Sequence, residues 1–382
     1  MKRGDSVIAR RHQVALALTA LLTAGAACQA HDRESASGRP APSANRGFTL
    51  VATGDILPHA SVIDRARFDA GGTGFDFGPM FAGIQPVVAA ADLALCHLET
   101  VHTAADPAAA SMPQLAGALA ATGYDGCSTA SDHSLDAGPE GVRRTLDALD
   151  GTGVRHTGTA RSAAEAAAVP LLRAGSAKVA HLAYTYDTSG VPLPEGQPWA
   201  VSLIDENKIV ADARNARRAG ADVVVVSLHW GTEWQDAPDD RQLGLARTLT
   251  ASRTGGRPDI DLLLGGHAHV PQAYEKVNGT WVVYGLGDQV AGGTPNPAGV
   301  VDPRANQSSV ARFTFAPPAR PGARWEVTKA AFVPELFDLD AGRVVDLDKA
   351  LAQGADVQGV RDRIRDVVLG RGAAQDGLVT GE

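Results

Sequence analysis

The residues that could do chemistry in this sequence concentrate around one short stretch, Asp261 to Val270, which reads DLLLGGHAHV. An apolar run of strand length stops at Gly265 and Gly266, and His267 and His269 follow with one residue between them. Neutral imidazole is a common ligand of zinc, iron and related metals. The glycines allow close approach at a strand end, where open α/β sheets place their sites. The stretch therefore predicts a metal site, provided that other segments supply further ligands.

Other apolar segments of the chain also end in a side chain of the metal-ligand or acid type. These residues are Asp55, Glu99, Asp132 with His133, His229 and Asp288. Strands of one sheet bring their carboxyl ends together, so we expect these side chains to meet. Three imidazoles and three carboxylates would suit one or two divalent ions such as Mn, Fe or Zn. Two ions bridged by a carboxylate could polarise a phosphoryl oxygen and generate hydroxide.

The elements that must position these residues alternate between strands and helices. Continuous Val/Leu runs separated by helical patterns indicate buried strands of an α/β protein. Strands are predicted at 48–52, 92–96, 124–128, 178–184, 222–228, 261–264 and 281–284, and helices at 79–91, 113–122, 141–151, 206–219 and 240–250. Further along, residues 310–315 and 325–333 read as a hairpin that completes the second sheet. Residues 336–382 read as a helical tail with a disordered end.

The first 28 residues read as an export signal, in which basic residues precede a short apolar run and then small residues. Small residues directly before Cys28 suggest a lipoprotein type of signal, with Cys28 as the lipidated residue. Ordinary cleavage near Ala27 or Ala30, giving a secreted protein, is the alternative. Residues 29–46 read as a flexible tether. We therefore expect a protein of the cell envelope, either membrane-anchored or secreted.

The charge of the chain restricts the classes of partner that we expect it to bind. The net charge is −8 and no basic block follows the first dozen residues, which argues against nucleic acid as a partner.

Cys96 and Cys127 are the cysteines that follow the signal. In an exported protein such a pair suggests a disulfide, and two buried free thiols are the alternative.

A set of motifs in chain order resembles one family. The motifs are GDI at 54–56, LET at 98–100, SDHSLDAG at 131–138, HTG at 156–158, HWGTE at 229–233, GGHAHV at 265–270 and YGLGD at 284–288. Together they resemble the CapA family of capsule or poly-γ-glutamate synthesis proteins, within the calcineurin-like metallophosphatase superfamily. The resemblance implies a domain over residues 47–335. Its implied fold is an α/β, four-layer α/β/β/α sandwich with two mixed sheets flanked by helices.

The resemblance also implies roles for single residues. Asp55 and His269 would bind the first metal, with Glu99 as the bridging carboxylate. The second metal would take Asp132, His229 and His267, and His133 would be the catalytic acid beside the leaving group. Glu233, Asp288 and Trp230 would lie in the second shell or the substrate pocket.

Three departures from the family pattern leave the function open. Leu57 stands where metallophosphatases carry a histidine, and Asp132 and Asp288 each stand where the family carries Asn. The resemblance implies a metal-dependent hydrolase, phosphoesterase-like, that acts in the synthesis of an envelope polymer. One alternative is a non-catalytic accessory protein that binds or tethers an anionic envelope polymer. The other is a hydrolase or transferase acting on the amide bonds of that polymer.

Overall fold

The computed structural model describes residues 46–99, 110–293, 299–320 and 323–381. The strands are Phe48–Ile56 (β1), Leu93–Leu98 (β2), Gly126–Ser128 (β3), Arg155–Thr157 (β4), Leu171–Ala174 (β5), Ala177–Thr185 (β6), Val223–His229 (β7), Arg253–Thr254 (β8), Arg257–Pro258 (β9), Leu262–Gly266 (β10), Tyr274–Val277 (β11), Thr280–Val283 (β12), Asp288–Val290 (β13), Gln307–Ala316 (β14), Glu326–Asp338 (β15), Arg343–Asp346 (β16) and Leu378–Thr380 (β17). The helices are Ala60–Asp69 (α1), Gly78–Phe81 (α2), Gln85–Ala89 (α3), Met112–Thr122 (α4), Gly138–Thr152 (α5), Ala163–Ala167 (α6), Glu206–Arg218 (α7), Asp240–Ala251 (α8), Leu347–Ala352 (α9) and Gln358–Leu369 (α10).

Two mixed sheets face each other. The first has the order β16-β15-β14-β1-β2-β3-β4, with β13 also paired to β1 and β17 to β15. The second has the order β11-β12-β10-β7-β6-β5. In the first sheet β1 is parallel to β2 and antiparallel to β14, and in the second β7 is parallel to both β6 and β10. Within each sheet, the central strands are therefore parallel, so their carboxyl ends lie at one edge of that sheet.

Three apolar layers hold the sheets and helices together. Side chains of β1 and β2 pack between the sheets against those of β7 and β10, as Leu50 and Leu95 do against Val225 and Leu264. The outer face of the first sheet packs on helices α1 to α5, and the outer face of the second packs on α7 and α8. Burial on both faces explains the apolar run of Val223 to Val226 in β7, because none of these four positions faces water. The expected four-layer α/β/β/α sandwich is confirmed.

The C-terminal region differs from its prediction in two ways. The hairpin exists as β14 and β15, but it extends the first sheet through β1 and not the second. The tail contains the predicted helices, yet its end is ordered, because β17 pairs in parallel with β15. Burial of Leu378 between the sheets explains this order, and a three-residue strand beside Gly377 carries too little periodicity to be read from sequence.

The predicted export signal, Cys28 and nearly all of the tether lie outside the described residues. Within the described part, no helix is both long enough and apolar enough to cross a membrane. Cys96 and Cys127 lie opposite each other on β2 and β3, and the structure joins them in a disulfide with a Cα–Cα distance of 4.4 Å.

Candidate metal centre

The predicted ligands meet where strands of both sheets end. Asp55 lies near the end of β1, Glu99 follows β2, and Asp132 lies in the turn after β3. From the second sheet, His229 ends β7 and lies in register with Gly266, the last residue of β10. All four of these polar side chains are buried. These side chains therefore form a buried polar cluster where the strands of both sheets end.

The glycines after the apolar run of β10 make room for this cluster. A Cβ atom on Gly266 would lie 2.5 Å from Oδ1 of Asp55, and one on Gly265 would lie 1.9 Å from the carbonyl oxygen of Tyr284. The next turn places His267 and His269 at φ values of 83° and 58°. Left-handed backbone in non-glycine residues is costly and is concentrated at functional sites. The backbone N–H of His267 also donates to Oδ2 of Asp55 at 2.8 Å, which ties β10 to β1.

The ligand atoms form two adjoining groups, each within 4.8 Å internally. Asp55 groups with His269 and Asp288, and Asp132 groups with His229 and His267. Glu99 belongs to further groups with Asp55 on one side and with Asp132 on the other. Glu99 therefore lies between the two groups.

Several buried atoms of the cluster have no hydrogen-bond partner among the described residues. They are Oδ1 of Asp55, both carboxylate oxygens of Glu99, Nδ1 of His267 and Oδ2 of Asp288. Buried charges without partners are expensive, and burial raises the pKa of Asp55 to about 7 and that of Glu99 well above its usual value. A divalent cation would satisfy all of these acceptors. The donor set therefore fits one or two divalent ions of the kind that accept mixed oxygen and nitrogen ligands.

Asp132 remains anionic. Burial alone would raise the pKa of Asp132, but the hydrogen bond with His229 and the nearby imidazoles hold it well below its usual value. Nε2 of His229 lies 2.8 Å from Oδ1 of Asp132, and the hydroxyl of Ser189 donates to Oδ2 at 2.7 Å.

His133 lies at the open side of the cluster. Its side chain is 36% exposed, and its Nε2 lies 3.9 Å from Glu99 and 4.0 Å from Asp132. Its Nδ1 is 2.7 Å from Oδ2 of Asp136. That hydrogen bond raises the pKa of His133 to about 9, despite the opposing effect of burial. The imidazole can therefore hold a proton at Nε2 near neutral pH, facing the cleft.

The three residues predicted to lie behind the ligands or in the substrate pocket occupy different positions. Asp288 is closer to the cluster than expected, since its Oδ1 lies 3.0 Å from Nδ1 of His269. Glu233 is exposed and groups with His267 and His269. Trp230, in contrast, is buried in the layer behind the second sheet, where its indole N–H donates to the carbonyl oxygen of Tyr284 at 2.8 Å.

Other residues at the site were missed by the sequence reasoning. Trp234 stacks on His269 with ring centroids 5.1 Å apart, and Tyr186 lies 4.7 Å from the ring of His267. His97 is buried, and its Nε2 is 2.9 Å from Nδ1 of His229. Residues two apart on a strand share a face, so the strand end at His97 and Glu99 carried a readable signal. Ser189 and Tyr186 lie in a loop with no such pattern.

Comparison with known proteins points to one family. The family described as "Bacterial capsule synthesis protein PGA_cap" matches residues 49–292. The capsule biosynthesis protein CapA of Bacillus anthracis is 25% identical over 176 residues, which cover 45% of this chain and 41% of that protein. A Mycobacterium tuberculosis protein named "Probable polyglutamine synthesis accessory protein" is 30% identical over 223 residues, covering 53% of this chain and 56% of its own. The chain thus spans about half the length of these curated relatives.

A solved structure, the calcineurin-like phosphoesterase YfkN of Bacillus subtilis, is also similar. It is 15% identical with a TM-score of 0.45, over 84% of this chain and 99% of that chain.

Proposed function

The chain belongs to the bacterial capsule synthesis protein family, and we propose that it is a metal-dependent hydrolase, phosphoesterase-like, that acts on an envelope polymer or its precursor. One observation carries the proposal. Buried carboxylate oxygens of Asp55, Glu99 and Asp288 have no hydrogen-bond donor in the part of the chain that the structure describes, and the cluster adjoins the imidazole of His133, which can donate a proton at the cleft.

We assign the residues of the cluster to two ion sites. Asp55, Asp288 and His269 would hold one ion and Asp132, His229 and His267 a second, with Glu99 between them. A bound divalent ion supplies Lewis acidity to an oxygen of the substrate and lowers the pKa of water.

His133 would act on the leaving group. Its Nε2 carries the proton, and Asp136 holds the ring from the opposite nitrogen. Protonation of a departing oxygen by a positioned imidazole contributes about 10²–10⁴-fold to rate. Tyr186 and Trp234 would wall the cleft against the two histidines after β10 and limit access of water.

Substrate and location are part of the same proposal. The names of the relatives connect them with capsule and polyglutamine synthesis, so an anionic polymer of the cell envelope is the proposed partner. Export by the N-terminal signal would bring the protein to that polymer. A lipid on Cys28 would hold it at the membrane, whereas ordinary cleavage would release it.

A second candidate is a non-catalytic accessory protein that binds the polymer. Two observations favour it: the name of the mycobacterial relative, and Leu57, buried in the core where the resemblance expects a histidine. In this case the cluster would hold an ion for structure or for polymer binding, without turnover. Cleavage or transfer at amide bonds of the polymer would be a third outcome.

The test combines metal content with hydrolysis. Plasma mass spectrometry on the purified full chain is compared with the double variant His267→Ala/His269→Ala, and phosphomonoester, phosphodiester and γ-glutamyl amide assays use the same samples. His156→Ala is the control, because that imidazole pairs with Asp150 outside the cluster, at 3.2 Å. Near-stoichiometric Mn, Fe or Zn and hydrolysis, both lost only in the double variant, are expected. Metal without turnover would support the accessory protein, and no metal after reconstitution would refute the centre.

A further inference from the structure

His97 is buried beside the candidate ligands of the metal centre. It lies on β2 of the first sheet, and it reaches His229 on β7 of the second sheet, with 2.9 Å between Nε2 of His97 and Nδ1 of His229. The other nitrogen of His97, Nδ1, lies 2.7 Å from the hydroxyl oxygen of Ser128. That hydroxyl is also 3.4 Å from the carbonyl oxygen of Cys96. A chain of hydrogen bonds therefore runs from a backbone carbonyl to the cluster.

The chain can carry its protons in two directions. In the first, the hydroxyl of Ser128 donates to His97, His97 donates to His229, and Nε2–H of His229 donates to Asp132 at 2.8 Å. In this direction His229 presents a proton to the cluster and cannot bind an ion. Each ring nitrogen of a neutral imidazole is either a donor or an acceptor, so the two rings must change together.

In the second direction both hydrogen bonds of His97 reverse, and the bond from His229 to Asp132 is absent. The hydroxyl of Ser128 donates to the carbonyl oxygen of Cys96, Nδ1–H of His97 donates to Ser128, and Nδ1–H of His229 donates to Nε2 of His97. Nε2 of His229 then presents a lone pair to the cluster. A histidine that binds a metal donates its other N–H to a neighbouring acceptor, which fixes its tautomer and orientation.

We infer that His97 is a positioning residue of the metal centre, which accepts the Nδ1 proton of His229 and so presents Nε2 of His229 to an ion. The inference rests on the proposed metal centre and deepens it. His97 also lies within 4.8 Å of Asp55 and Glu99, as a ligand would. Both of its nitrogens, however, are already engaged by Ser128 and His229. A ligand role would break one of those bonds, and the positioning role keeps both.

The test measures zinc binding to the full chain by calorimetry. His97→Leu removes the acceptor and should weaken binding about 10–100-fold, the cost of losing such a partner of a ligand. His97→Gln restores an acceptor oxygen and should bind more tightly than His97→Leu. His181→Leu is the matched control, because His181 is also buried and also bonded to a serine, Ser227, at 2.8 Å. We expect the control to bind zinc like the wild type.

A second measurement does not depend on affinity. With ¹⁵N-labelled histidine, NMR of the zinc-loaded wild type should show Nδ1 of His229 protonated and Nε2 unprotonated. Thermal unfolding of each variant checks that it folds. If His97→Leu does not fold, zinc binding is compared between the wild type and His97→Gln instead.

The outcomes distinguish failure of the metal centre from failure of the role assigned to His97. A wild type that binds neither zinc by calorimetry nor Mn or Fe after reconstitution would refute the metal centre, and the proposed function with it. Equal affinity in the wild type and His97→Leu would refute the role of His97 alone. Equal losses in His97→Leu and His97→Gln, with Nδ1 of His229 unprotonated, would make His97 a ligand and overturn its positioning role.

Discussion

Two clusters of acidic residues and histidines in this molecule differ in how their charges are satisfied. The first is the candidate metal centre described above. The second, which we call the α5–α6 network, consists of Asp147, Asp150, His156, Arg161 and Glu165. It lines part of a cavity of about 500 Å³.

In the α5–α6 network every carboxylate has a cationic partner within the chain. Arg161 donates to Asp147 and to Asp150 at 2.7 Å each, and to Glu165 at 3.1 Å. Burial would raise the pKa values of Asp150 and Glu165, but the hydrogen bonds from Arg161 lower both. In the metal centre, burial raises the pKa values of Asp55 and Glu99. The two clusters therefore differ in that an arginine of the chain meets the carboxylates of the α5–α6 network, whereas Asp55 and Glu99 keep oxygens without a hydrogen-bond partner among the described residues.

The largest expected effect tests the shared carboxylate of the metal centre. Glu99→Gln should remove ion from both halves and lower kcat by about 10²–10³-fold, as when one group that stabilises charge in the transition state is lost. With chelator present, the same variant should unfold at a higher temperature than the wild type, because an unpaired buried carboxylate has gone. Metal analysis and thermal unfolding with and without chelator measure both effects. A variant that is destabilised in chelator would mean that Glu99 already has a partner in the metal-free protein.

The next effect concerns the acid at the cleft. His133→Gln should lower kcat by about 10²–10⁴-fold while ion content stays unchanged. Asp136→Asn removes the main cause of the raised pKa of His133, which is about 9 in the wild type. An acid acts in its protonated form, so the alkaline limb of the pH–rate profile should move to lower pH in Asp136→Asn. An unmoved limb would assign it to another group.

A third buried carboxylate tests burial with neutral hydrogen-bond donors. Glu335 accepts hydrogen bonds only from neutral donors among the described residues, Gln289 and Ser308, each at 3.2 Å, and burial raises its pKa to about 8. Because the folded pKa lies above the unfolded value, the contribution of Glu335 is fully present below the unfolded pKa. It is lost as pH rises to about 8, with a slope of at most about 1.4 kcal/mol per pH unit. Urea unfolding of Glu335→Gln across this range should lack that contribution. Parallel curves for the variant and the wild type would contradict it.

The smallest effect is expected in the α5–α6 network. Arg161→Ala breaks ion pairs whose carboxylates are partly exposed, so the free energy of unfolding should change by about 1 kcal/mol or less. Ion content should not change. Loss of metal in this variant would mean that the α5–α6 network also contributes to ion binding.

Much of the fold could be predicted because its strands are buried on both faces and so carry a local signal. Where predictions failed, the causes are specific. The helix predicted at 79–91 is divided into α2 and α3, and Pro86 in its interior explains the division, because proline cannot continue a helix. Trp230 was assigned to the site although it faces the outer core, and Trp234, four residues on, contacts His269 instead.

Local patterns along the chain settled which residue types follow each strand, because alternation and apolar runs depend on the backbone period alone. Asp55, Glu99, Asp132, His229, His267 and His269 could therefore be named from sequence as candidate ligands. Their contacts could not. His97 and His229 are 132 residues apart, and only the packing of one sheet on the other brings their rings together. Whether a carboxylate meets an arginine, as the partly exposed Glu165 does, or lies buried with none, as Glu99 does among the described residues, is likewise decided by tertiary structure.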